Sequence, residues 1–146
     1  MRGESWSTLR RRSARAEYIK SYVERVVEAE RPVGIVVFGS TAKGEEGEGG
    51  DIDGLVIYDG EVDYMEKSLI LRELEDSCMV EPSPCSYDQV GKMVEEVNPF
   101  VFDALEDGVV VYDREGRVRE LLRLKEEVSL RLGVVRTERG WEVGAD

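Results

Sequence analysis

At 146 residues and 16.5 kDa, with 41% hydrophobic content, the chain has the size of one domain and enough apolar material for one core, which disfavours a two-domain enzyme. Thirty-two acidic residues against twenty basic ones give a net charge of -12, so a protein held on nucleic acid by its own charge is disfavoured, and any anionic substrate needs a local cation. Histidine is absent, which excludes Ser-His-Asp and Cys-His catalysis and His-ligated zinc and leaves carboxylates, lysines, hydroxyls or a bound metal to do chemistry.

The N-terminal MRGESWSTLRRRSARAEY has arginines but no apolar stretch of the secretory type, and no apolar run in the chain approaches bilayer length. The expectation is a soluble, cytoplasmic protein with no membrane contact. Arg10, Arg11, Arg12 and Arg15 form a short basic cluster without interleaved aromatics, read as a solvated helical turn or frayed tail in preference to a nucleic-acid arm. From about Ala14 to Glu30, Ile19, Tyr22, Val23, Val26 and Val27 recur at helical spacing, and Pro32 stops that helix. Val33–Phe38 is a continuous β-branched run, the pattern of a strand covered on both faces. A glycine-rich acidic turn, GSTAKGEEGEGG, leads to a second strand, Asp51–Tyr58.

Residues 63–76 form a helix with an acidic start, and residues 78–85 a third strand that Pro82 and Pro84 confine to a sheet edge or end near Glu81. Ser86 opens one helix, and Asn98-Pro99 opens another that Gly108 stops. Val109–Tyr112 is a fourth strand, DREG a turn, and Val118, Leu121, Leu122, Val128 and Leu132 the stripe of a last helix. Residues 133–146 show little core-forming pattern and are expected to fray. The sum is one α/β (α+β) domain over 1–146, its core over about 14–132, with a small mixed sheet of about four strands flanked by helices. Cys78 and Cys85 form no CxxC and read as fillers of a protein in a reducing compartment.

The chemistry centres on the second strand's start. Period-two alternation puts Asp51 and Asp53 on one face, where paired like charges suit a hard cation such as Mg²⁺. Gly39-Ser40 directly follows a buried strand: a residue without Cβ lets backbone N–H groups approach an anion, the hydroxyl can donate to phosphate, and Lys43 adds a cation. Neither G-x-x-x-x-G-K-[ST] nor GxGxxG is present.

Gly39-Ser40, ten intervening residues and Asp51-Ile52-Asp53, with Ala42-Lys43-Gly44 after the Gly-Ser and NPF…DGVVVYD downstream, resemble the signature of the DNA polymerase β-like nucleotidyltransferase superfamily. The likeness is to its small stand-alone members, the minimal nucleotidyltransferases, and runs from about Val33 to Tyr112. It implies that Gly39 and Ser40 contact a triphosphate, with Lys43 at a basic position, and that Asp51 and Asp53 hold two Mg²⁺ (or Mn²⁺) with a third carboxylate on a following strand. The third carboxylate is at best Glu81, whose alternative is a solvated acid at a proline-broken strand end. Gly50 stands where Ser is common, Gly54 where an apolar residue is usual, and Glu45, Glu46 and Glu48 would repel a triphosphate unless they point away.

The implied reaction is in-line attack of a hydroxyl on the α-phosphorus of an NTP, ATP by family analogy. One metal lowers the nucleophile's pKa and the other neutralises the departing pyrophosphate. So short and acidic a chain favours single transfer of AMP to a protein or small molecule over templated polymerisation. The resemblance also implies a helical partner of the HEPN type, as in toxin–antitoxin pairs, and allows a homo-oligomer. The alternative is an inactive nucleotide-binding or interaction module of the same fold, such as an antitoxin.

Overall fold

The computed structural model describes residues 5–12, 15–39, 52–75 and 80–144. A short helix α1 (Ser5–Arg12) and the longer α2 (Ala16–Glu30) precede strand β1 (Gly34–Phe38) and strand β2 (Ile52–Tyr58). Helix α3 (Tyr64–Glu73) leads to β3 (Val80–Ser86), followed by α4 (Tyr87–Glu95), α5 (Pro99–Asp107) and β4 (Val109–Asp113). A 3-10 turn (Arg114–Gly116) opens the long α6 (Arg117–Leu132), and β5 (Val134–Thr137) and β6 (Gly140–Val143) follow it.

The main sheet has the order β3-β2-β1-β4, with β1 antiparallel to both neighbours and β2 parallel to β3 across the α3 connection. Both faces are covered, so this is the expected mixed four-stranded sheet flanked by helices, in three layers. On one face Leu9, Ile19, Tyr22, Val23, Val26 and Leu71 from α1, α2 and α3 pack on Ile35, Val37, Ile52 and Val56. On the other, Val90, Val94, Val101, Phe102, Leu121 and Val128 from α4, α5 and α6 pack on Val36, Leu55 and Ile57. The alternation along β2 divides its residues between the two cores, which is why its sequence reads as continuously apolar.

Local chemistry sets the boundaries. Arg31 takes the left-handed conformation (φ 48°) after α2, its N–H bonding to Val27 O, and Pro32 prevents continuation. Asp63, Ser86 and Asn98 cap α3, α4 and α5 by accepting from the N–H groups of Glu66, Gln89 and the Phe100–Val101 pair. Gly108 ends α5 at φ -75°, an angle any residue adopts, so its use is space: a Cβ there would press on Ala104 O and the Val36 side chain.

At three segments the structure decides between open alternatives or departs from the expectation. Of the helical turn or frayed tail expected at the arginine cluster, the structure shows a helix: residues 6–11 lie within α1, with Arg10 and Arg11 exposed and the buried Leu9 and partly buried Trp6 anchoring it to the core. Of the two outcomes open for β3, an edge strand or an end near Glu81, the structure shows the edge strand: it runs through Pro82 and Pro84 to Ser86, because at the sheet's edge the missing N–H groups face no partner. The segment beyond Leu132 folds as the hairpin β5–β6. Its Trp141 meets Phe102 edge-on at 5.1 Å, Arg136 stacks over the indole at 4.8 Å and bonds Asp103 at 2.9 Å, and Lys125, 4% exposed, lies 5.2 Å from both rings while paired to Glu106. Aromatic and cation–π contacts, invisible to hydrophobic periodicity, hold this segment. No helix among the described residues is long and apolar enough to cross a membrane.

Candidate active site

The antiparallel pairing of β1 with β2 and the parallel pairing of β2 with β3 bring three strand ends together: the last residues of β1 and the first residues of β2 and β3 share one end of the sheet. There Phe38 is paired with Asp53, and Asp53 with Glu81. Residues side by side in register project to the same face, so Phe38, Asp53 and Glu81 form a row across adjacent strands about 4.8 Å apart. The register thus sets Glu81 next to Asp53, on a third strand that runs beside the second.

Gly39 follows Phe38 with φ +81°. A Cβ built on it would collide with Asp53 Oδ2, so glycine is required twice over, by the left-handed backbone and by the carboxylate lying against its Cα. The glycine of the Gly-Ser pair and the second aspartate of the DID motif are therefore in direct apposition. Ser40, Lys43 and Asp51, with Glu45, Glu46, Glu48 and Gly50, lie outside the described residues.

The Glu81 carboxylate is exposed and accepts a 2.6 Å hydrogen bond from Arg72 Nη2 on α3. Arg72 is a functional candidate that the motifs do not reveal; its one signal in the sequence is a cation in the last turn of the helix preceding the third strand. Among the described residues no group of three acids is gathered closely enough to hold a metal ion. Asp53 and Glu81 supply two hard oxygen donors on neighbouring strands, the donor chemistry Mg²⁺ takes.

Next to the carboxylates lies an aromatic pair. The Phe100 ring, from the first turn of α5, meets Phe38 edge-on (centroids 5.4 Å, planes 83°) and is 39% exposed. Cys85, farther along β3, is buried, and burial pushes its thiol pKa up, as for a core filler.

Residues 19–119, from the first turn of α2 to the start of α6, match the nucleotidyltransferase domain family. The chain belongs to that family. No curated protein matches it significantly. Among solved structures, this nucleotidyltransferase domain is similar to a Sulfolobus solfataricus protein proposed to be a nucleotidyltransferase (TM-score 0.53, 19% identity, covering 78% of this chain and 92% of that one). It is also similar to a chain of a toxin–antitoxin structure containing AMP-PNP (TM-score 0.51, 16% identity, covering 77% and 87%). At such identities the likeness shows the fold, and the family match links that fold to nucleotidyl transfer.

Proposed function

We propose that the protein transfers a nucleoside monophosphate, AMP from ATP, to a hydroxyl of a protein or small molecule, using Mg²⁺ or Mn²⁺. The observation that carries the reading is the apposition of Gly39 and the Asp53 carboxylate at the open end of the sheet, with Glu81 next in register. In this reading Gly39 and Ser40 cradle the triphosphate with backbone N–H and hydroxyl donors, Lys43 offsets its charge, and Asp51, Asp53 and Glu81 hold the cation. That cation would supply charge neutralisation at the phosphates and a lower pKa for the attacking hydroxyl. Asp53, fixed against a glycine that leaves it no lateral room on that side, contributes a carboxylate oriented before substrate arrives.

The acceptor is proposed to be a protein of a toxin–antitoxin pair, a helical partner of the HEPN type. The likeness to a toxin–antitoxin chain supports this choice. The Arg72–Glu81 ion pair favours a second reading, a nucleotide-binding module that does not turn over, because it engages the candidate third carboxylate.

Two measurements test these readings together. Millimolar Mg²⁺ and ATP should raise the melting temperature, with a gain of about 2.7 kcal/mol at a hundredfold excess over Kd. Label should pass from α-labelled ATP to a protein encoded beside this one. A stability gain without label transfer supports the second reading; neither effect defeats both. Asp51→Asn with Asp53→Asn should abolish both effects in a protein that still folds.

A further inference from the structure

We propose that the Phe38–Phe100 pair is the platform on which the nucleobase of the bound nucleotide stacks. The inference rests on the nucleotide reading above and deepens it by naming where the base lies. Phe38 is the residue before the cradle glycine and is the register partner of Asp53, so its ring stands on the carboxylate face within one strand spacing of the site. Phe100 extends this ring outward. The two rings stand nearly perpendicular, at 83° with centroids 5.4 Å apart, so this contact covers the face of at most one of them, and 39% of Phe100 is open to solvent.

Its neighbours in the helix behave differently. Val101, Phe102, Ala104 and Leu105 are all buried in the core below the sheet, so burial of the α5 face does not require an aromatic ring at position 100. Of the seven large apolar side chains exposed among the described residues, Phe100 is the one whose ring contact with Phe38 ties it to the site.

Phe38 thus borders the Asp53 carboxylate through the sheet register and the Phe100 ring through its side chain. A molecule with anionic groups that bind through a cation and a flat π-system at some distance from them matches this division. Phenylalanine offers no hydrogen-bonding group, so the platform recognises a base by its face and ranks bases by stacking strength, purines above pyrimidines, without reading their edges.

The test compares a ligand with a base to one without. Binding of Mg²⁺-ATP and of Mg²⁺-tripolyphosphate is measured calorimetrically for the natural protein, Phe100→Leu and Phe100→Trp. Leucine keeps apolar packing on Phe38 but has no π-face. Phe100→Leu should weaken ATP about tenfold and leave tripolyphosphate unchanged. Phe100→Trp should bind ATP at least as tightly as the natural protein, with the new indole quenched on binding. Undiminished ATP affinity in Phe100→Leu, or equal losses for ATP and tripolyphosphate, would overturn the platform while leaving the nucleotide reading intact. A natural protein that binds neither ligand would remove the nucleotide reading and the platform with it.

Discussion

Replacing Gly39 with alanine probes the junction on which the site depends. At φ +81° a Cβ costs roughly 1–2 kcal/mol from contact with the backbone alone. The same atom would run into Asp53 Oδ2, and swinging that carboxylate away from its rotamer adds roughly 0.5–1.5 kcal/mol. Gly39→Ala should therefore destabilise the protein by about 2–3 kcal/mol. The two contributions separate in a double-mutant cycle. An alanine at position 53 keeps only the Cβ, and a Cβ at position 39 would lie an ordinary 3.5 Å from it. In an Asp53→Ala background the cost of Gly39→Ala should fall to the backbone share, giving a coupling of about 1 kcal/mol. Urea unfolding followed by the fluorescence of Trp6 and Trp141 measures all four variants. Equal costs in the two backgrounds would refute the apposition of Gly39 and Asp53.

Further outcomes follow from other parts of the molecule. Gly54, central in β2, has nothing within 4 Å of where a methyl would stand and borders an apolar cavity of about 20 Å³ lined by Ile19, Tyr22, Val23, Val26, Val80 and Pro82, among others. Gly54→Ala should stabilise by about 1–2 kcal/mol through burial and reduced unfolded-state freedom, a rise of about 4 °C in Tm by calorimetry, with an unchanged or lower Tm counting against it. Arg72→Gln removes a half-exposed ion pair, so stability should change by less than about 1 kcal/mol; if Glu81 serves as a ligand, Mn²⁺ affinity in a titration should rise a fewfold, and an unchanged or weaker affinity would argue against that role. Tyr22 donates a 2.7 Å bond to Leu71 O, and burial pushes its pKa up to about 12. The folded state keeps a proton that the unfolded state releases near pH 10, so this contribution is intact below pH 10 and is lost as the pH rises toward 12. Tyr22→Phe should cost about 1 kcal/mol at neutral pH and make the urea midpoint fall less steeply between pH 10 and 12 than in the natural protein.

The sheet was legible because its signals are redundant: VGIVVF and LVIY are β-branched and continuous, and each cap residue sits where its side chain can reach back to the helix. The prolines of β3 left two outcomes open, edge or end, since local sequence does not state which neighbour a strand lacks. Leu9 and Trp6 anchor α1 from within an arginine-rich segment, a pattern too sparse for periodicity to find. Trp141 and Arg136 hold the final hairpin through contacts with α5, which depend on tertiary placement alone. For the site, the motif spacing named Gly39 and Asp53, the family resemblance added Glu81, and the register sets the two acids side by side. Arg72 and Phe100 escaped because an arginine near a helix end and a phenylalanine after a proline are common features, distinguished here only by what they touch.

The two prolines of β3 have one more effect. Pro82 pairs with Gly54 and Pro84 with Val56, so both occupy the same parity of the strand, and positions of one parity point their amide nitrogens to the same side. A ladder to β2 can survive two prolines only if that side is the outer one. The outer rim of β3 therefore lacks a donor at each of these positions, and a foreign strand laid along it would find acceptors without the alternating donors that hold a ladder together. Growth of the sheet past β3, whether by a partner's strand or by a second copy stacking toward a fibril, is closed off by covalent structure instead of by charge or cover. A protein that engages this side of the molecule must do so through side chains, and the row that begins at Glu81 stays accessible at a rim that cannot be zipped shut.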